Sequence, residues 1–493
     1  MGAGVEREHF QQADYDRFGE RLERSLWALR QLLARPGFGV GPATVGAELE
    51  LFLVDAAGRP LPRNDAVRAD SRDARVTVEV DRFDLEVNLT PAPMAGRPFA
   101  AFGRELDQAL TAIARVAAAH GGRVATIGIL PTLRPDDLGR AALSDRGRYR
   151  AIDRGLRRLR HQPFRIRIDG QDPLDTFCDG ISLEGANSSW QLHLRVDPAA
   201  FGRTYDAVQL ATPPVLAAAG NSPTFLGHRL WDETRIVLFK QSVDTRDEEA
   251  HGLRVARVGF GTGWARDGAL EQFEQSVRLH QPVLPLVADE DPLDQVRDGR
   301  VPHLAELRLH QGTVWRWNRA IYDPAGGGHL RIELRSLPSG PTVTDMLANA
   351  AFALGLSLAL APEAAAWTRA LPFERVHHDF YRAAQQGLDA KIAWPLEPGR
   401  PRTYRAAELV PRLLPLAYEG LVDAGVAPGE AAELLEVVAA RVASGRTGAV
   451  WQRRVLDRLV PVLGRKRALA VMLDRYVELS AAGAPVHTWP VEG

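Results

Sequence analysis

Five short segments of this chain alternate at strand period and carry carboxylates along one face, a pattern that demands a sheet with something charged to bury on its second side. In GAELELFLVD, residues 46–55, Ala47, Leu49, Leu51 and Leu53 point one way, and Glu48, Glu50 and Phe52 point the other. VTVEVD (76–81) sets Thr77, Glu79 and Asp81 against its valines, and DLEVNL (84–89) sets Asp84, Glu86 and Asn88 against Leu85, Val87 and Leu89. In NSSWQLHLRV (187–196) the polar face carries Asn187, Ser189, Gln191, His193 and Arg195; in LRIELRS (330–336) it carries Arg331, Glu333 and Arg335. Any one of these reads as the solvated side of a strand. In a single sheet, however, they gather Glu48, Glu50, Glu79, Glu86, His193 and Glu333, with Arg331 and Arg335 at one side. Crowded carboxylates repel and call for cations. An oxygen-rich donor set with one imidazole suits Mg²⁺, with Mn²⁺ as the alternative, better than Zn²⁺. Planar guanidinium groups grip carboxylate or phosphate at two points. The pattern therefore predicts a metal and phosphate site.

Composition excludes several other classes. Sixty-one basic residues against 62 acidic give a net charge of -1, so no global field favours nucleic acid or a membrane surface. Cys178 is the single cysteine, which rules out an internal disulfide or a cysteine-based zinc site and fits a reducing cytoplasm. The start of the sequence lacks the basic and apolar pattern of a signal peptide. The most apolar run, MLANAAFALGLSLALA (346–361), is short for a bilayer span and contains Asn349, so a buried helix is expected. A homo-oligomer stays open.

Residues 14–35 have the spacing of an amphipathic helix, and segments to about 335 mix strand and helix patterns, an α+β core. After about 342 the strand signal stops and Ala/Leu/Arg helices run on, with WPLEPGRPRTY (394–404) as the best linker candidate. The expected organisation is a catalytic core over 1–345 and a helical region over 346–493 packed on it, not independent. There is no GxxxxGK[ST] phosphate loop. GFGTG (259–263) reads slightly better as a turn than as a phosphate cradle. The arginine run at 146–167 reads as a solvated helix face rather than a nucleic-acid surface, and His377 and His378 as surface residues.

These residues also resemble a family. GAELELFLVD, DLEVNLTPAP, EGANSSWQLHLRV and RIELRSLPSGPTVTDM are similar, in that order, to the Glu-x-Glu strand, the acidic strand ending in Thr-Pro, the strand with a metal-binding histidine, and the Arg-x-Glu-x-Arg strand of the glutamate-cysteine ligase superfamily. The resemblance implies a glutamine synthetase-like fold, an antiparallel sheet curled into a funnel. It implies ATP and Mg²⁺, and a carboxylate-amine ligase that activates an amino-acid carboxylate as an acyl phosphate for attack by an amine acceptor. Carried over by position, Glu48, Glu50, Glu86, His193 and Glu333 are expected metal ligands, Glu79 less surely. Arg331 and Arg335 are the expected clamps on phosphate or substrate, and Asn187, Gln191 and Arg235 the expected substrate contacts. The segment HQGTVWRWNRAIYD (310–323) has no close match. Two rivals stand beside this reading: a phosphotransferase on the same fold, and a catalytically silent homologue that binds an amino acid or scaffolds a partner.

Overall fold

The computed structural model describes residues 7–160, 162–178, 180–246, 254–396 and 401–492. At its centre the alternating segment forms one 12-residue strand, β1 (Thr44–Asp55). Seven more strands complete an antiparallel sheet: β2 (Val76–Val78), β3 (Asp84–Asn88), β4 (Ala92–Pro93), β5 (Gly122–Ala125), β6 (Trp190–Val196), β7 (Asn318–Asp323) and β8 (His329–Leu334). The order is β7-β8-β6-β1-β3-β2, with β4 and β5 also paired to β1. Because β1 is long, it pairs on one side with β6 and then β5, and on the other with β4 and then β3. The register sets Glu50 opposite Glu86, Glu48 opposite Gln191, and His193 opposite Glu333. All five acid-faced segments of the sequence reach this sheet or its ends.

The apolar face lies on helices. Leu49 and Leu51 of β1, Leu192 and Leu194 of β6 and Ile332 of β8 share one core with α1 (Gln12–Leu33), α2 (Pro98–Ala119), α3 (Gly147–Leu159), α4 (Phe201–Ala219), α5 (Val343–Leu360), α6 (Ala406–Asp423) and α7 (Pro428–Ser444). The acid-bearing face of β1 changes character at Phe52. Phe52 and Val54 enter a second apolar cluster with Trp451 of α8 (Gly448–Leu463) and Met472 and Tyr476 of α9 (Arg465–Ala482). Helices from the last third thus complete both cores.

Helix α5 is apolar almost all round, so burial is its stable setting. One stretch, Val343–Ala370, is long and apolar enough to cross a membrane, and 78% of its most apolar window is buried inside the protein. Asn349 accepts a hydrogen bond from the buried Arg441 at 2.5 Å. The strand signal does not end at 342 as expected: Lys391–Trp394 and Arg402–Arg405 pair as an antiparallel hairpin, so the flanks of the predicted linker are ordered. Its residues 397–400 lie outside the described residues. Pairing of segments on either side of a Pro-rich stretch depends on partners brought by the tertiary fold, which period alone does not reveal.

Candidate active site

The polar face of the sheet floors a cavity of about 890 Å³. Alternation along β1, β3, β6 and β8 points Glu48, Glu50, Glu86, Gln191, His193, Arg331 and Glu333 into it, and Arg335 follows at the end of β8. Walls come from β2 (Thr77, Val78), from Glu79 and Val80 beyond it, from the first turns of α3 (Gly147, Arg148, Tyr149, Ile152), and from Gly312, Trp315, Arg319 and Ile321.

One cluster is built on Glu333, whose side chain is 2% exposed. Arg319 grips it with two bonds, Nε to Oε2 at 2.5 Å and Nη2 to Oε1 at 3.0 Å, and Arg335 Nη1 lies 3.1 Å from Oε1. His193 Nε2 is 3.0 Å from Glu48 Oε1 and 3.7 Å from Glu333 Oε1, yet neither ring nitrogen makes a well-aligned hydrogen bond. Ligating atoms of Glu48, His193 and Glu333 all fall within 4.8 Å of one another. Burial pushes Glu333 up, but Arg319, Arg335 and His193 outweigh it and hold the carboxylate well below its usual range. Glu48 is likewise raised by burial and lowered, on balance, by His193. Two ionised carboxylates facing a buried imidazole with unused nitrogens fit a divalent cation.

A second group is all acid. Gln191 donates to Glu50 Oε1 at 2.8 Å and the Ser189 amide donates to Oε2 at 2.7 Å, while Asn88 donates to Glu86 at 2.7 Å. Gln191 also accepts from Arg335, so it links the two groups. Burial, then Glu48 and Glu50, pushes Glu86 up to about 8. Burial, then Glu86, Glu50 and Glu184, drives Glu79 well above the carboxylate range. Behind them a pocket of about 20 Å³ is lined by Glu50, Glu79, Asp84, Glu184, Asn187 and Ser188. Glu184 is pushed up to about 8 by burial and by Glu50, against the smaller opposing pull of Arg335 and Arg148. Carboxylates raised by one another are the electrostatic setting that a bound cation relieves.

Of the eleven residues singled out in the sequence, nine share the large cavity: Glu48, Glu50, Glu79, Glu86, Gln191, His193, Arg331, Glu333 and Arg335. Two do not reach it. Asn187 borders only the small inner pocket and donates to the carbonyls of Leu183 and Glu184. Arg235 is 3% exposed, bonded to Glu233 at 3.0 Å and to the backbone of Ser336 and Arg335, so it braces the strand end from below. Arg319, Glu184 and the α3 residues were not foreseen. The signal for Arg319 was there: NRAIYD alternates, with Asn318, Ala320 and Tyr322 buried and Arg319 opposite Glu333. The arginine run is only partly a solvated face, since Arg146, Arg148 and Tyr149 line the cavity. GFGTG is absent from the cavity lining, and its Phe260 stacks on Phe380.

Curated proteins give no match by sequence. Among solved structures, the glutamate-cysteine ligase of Francisella tularensis in complex with AMP superposes with a TM-score of 0.50 at 11% identity, over 92% of this chain and 91% of that one. A bifunctional glutathione synthetase from Pasteurella multocida gives 0.48 at 12% identity, over 94% of this chain and 55% of that one. The first of these likenesses shows a shared fold. The sequence model of glutamate-cysteine ligase family 2 matches residues 44–468, which takes in every strand of the sheet and the whole cavity floor. The chain belongs to glutamate-cysteine ligase family 2, and it is an ATP-dependent ligase that forms a carbon–nitrogen bond.

Proposed function

We propose that the cavity joins the γ-carboxylate of glutamate, or of a closely similar amino acid, to an amine through an acyl phosphate. The observation that carries this reading is the buried Glu333, clamped by Arg319 and Arg335 beside His193 and Glu48 and facing a second acidic group across one cavity. Mg²⁺, or Mn²⁺, held by Glu48, His193 and Glu333 and by Glu50 and Glu86, supplies screening of the phosphate charges when bound. Glu333 keeps its charge because the arginines stay beside it, and Gln191 fixes Glu50 relative to Arg335. Arg331, whose Nε is buried without a partner, directs a donor toward the phosphoryl oxygens.

A carboxylate oxygen attacks the γ-phosphorus, the bond to ADP breaks, and charge spreads over the phosphoryl oxygens. The amine then attacks the carbonyl carbon, the bond from that carbon to the phosphate oxygen breaks, and the nitrogen gives up one proton as phosphate leaves. Confinement in the cavity supplies proximity and limits hydrolysis. The substrates are an amino acid and an amine in the cytoplasm, with neither nucleic acid nor membrane involved. The test uses a donor whose reacting carboxylate carries ¹⁸O. One label must appear in released phosphate as the amide forms. Label found in AMP, or ADP release with no label transfer, rules the mechanism out in favour of adenylation or of a phosphotransferase.

A further inference from the structure

Six arginines line the cavity, and four have acid partners: Arg146 with Asp65 at 2.5 Å, Arg319 and Arg335 with Glu333, and Arg331 with Asp323 at 3.3 Å. Arg68 and Arg148 make no ion pair or side-chain hydrogen bond among the described residues. Their settings differ. Arg68 is exposed on the helix Asn64–Ser71, where water satisfies it. Arg148 is half-buried in the first turn of α3, and a Cβ placed on Gly312 would stand 3.2 Å from its Nη2. A side chain at 312 would crowd the guanidinium, so the glycine that ends the short helix Ala305–Gln311 keeps its place open. Tyr149, Ile152 and Trp315 give the same wall apolar surface.

Glu184 across the cavity attracts Arg148 through space without bonding to it, so the half-buried fork keeps its hydrogen-bonding donors free, and its planar geometry matches a carboxylate. The arginines near Glu333 are already engaged by that carboxylate. An amino-acid substrate, by contrast, brings a carboxylate that takes no part in the reaction. We propose that Arg148 is the specificity residue that holds this spectator carboxylate, so that the enzyme selects amino acids with a free α-carboxylate over their decarboxylated counterparts. The inference rests on the ligase reading above. The carboxylate belongs either to the donor or to an amino-acid acceptor.

The test reads binding, not turnover, by calorimetry in the presence of Mg-ADP. The probes are glutamate against 4-aminobutyrate, which lacks the α-carboxylate, and cysteine against cysteamine. Wild type should bind the carboxylate-bearing member of at least one pair about 10- to 100-fold more tightly. Arg148→Ala should level that pair, Arg148→Lys should restore part of the difference, and Gly312→Ala should weaken binding in the same direction. Melting temperatures control for folding. The pair that is levelled identifies donor or acceptor. Equal binding within both pairs, no binding of any probe by the wild type, or discrimination that survives in Arg148→Ala overturns the proposal. So does an Arg148→Ala effect confined to Mg-ADP. Failure of the ligase reading appears separately, as no amide formed while the Arg148 discrimination persists.

Discussion

Glu333 and Glu86 are both carboxylates on one sheet face, yet their neighbours set opposite expectations for neutralising them. Glu333→Gln leaves Arg319 and Arg335 without their countercharge in a buried setting, and urea unfolding should show a loss of about 3 kcal/mol or more. Glu86→Gln removes repulsion from Glu48 and Glu50, so the metal-free protein should be as stable as wild type or more so, while turnover falls more than about 100-fold. Equal destabilisation of the two variants would refute this electrostatic picture. Glu48→Ala should also lose more than about 100-fold in turnover without unfolding, and His193→Phe should fold but bind Mg-ATP poorly in equilibrium dialysis. Arg331→Lys keeps the charge and loses the fork. Single-turnover measurements should find phosphoryl transfer slowed more than ATP binding is weakened.

At the scale of elements, strand alternation does most of the positioning and helix contact does most of the holding. The sheet brings residues from positions 48 to 335 into one floor because each strand donates alternate side chains, so register errors of one residue would empty the site. The helices are tied at their own close crossing. A Cβ on Gly420 of α6 would run into the carbonyl oxygen of Gly355 in α5, and one on Gly355 into that of Ala417. Alanine is the better helix former by about 1 kcal/mol, but here the backbones themselves would have to separate. Gly420→Ala should therefore destabilise, by about 1–3 kcal/mol, as read by thermal or denaturant unfolding. A rise in stability would mean that the crossing is looser than its geometry requires.

The whole molecule keeps several carboxyls whose affinity for protons is raised by burial. Glu86 and Glu184 are pushed up to about 8 and Asp206 to about 7. Each binds its proton more tightly folded than unfolded, so the stability they allow is fully present below about pH 4 and declines as pH rises toward 8. In EDTA the melting temperature should fall by several degrees between pH 5 and 8. Mg²⁺ should remove most of that slope, because a cation compensates Glu86 and Glu184 but not the distant Asp206. Asp206→Asn should flatten the remainder. A slope that Mg²⁺ leaves unchanged would count against cation binding at the acidic group.

The sequence by itself determined the faces. Period-2 alternation dictates that Glu48 and Glu50, or Arg331, Glu333 and Arg335, emerge together, because successive side chains of a strand leave on opposite sides. That local rule made nine cavity residues legible before any fold was known. It had no power over Asn187, which precedes β6 and turns to the single helical turn Ser182–Gly185, or over Arg235, a helix residue buried under the end of β8. Strand order and packing decided the rest. Arg319 became the partner of Glu333 only because β7 pairs with β8, and Arg148 became part of the cavity only because α3 lies against the segment around Gly312. Contacts between positions far apart in the chain are set by how sheet and helices bury their apolar faces together, and no spacing within a single segment encodes them.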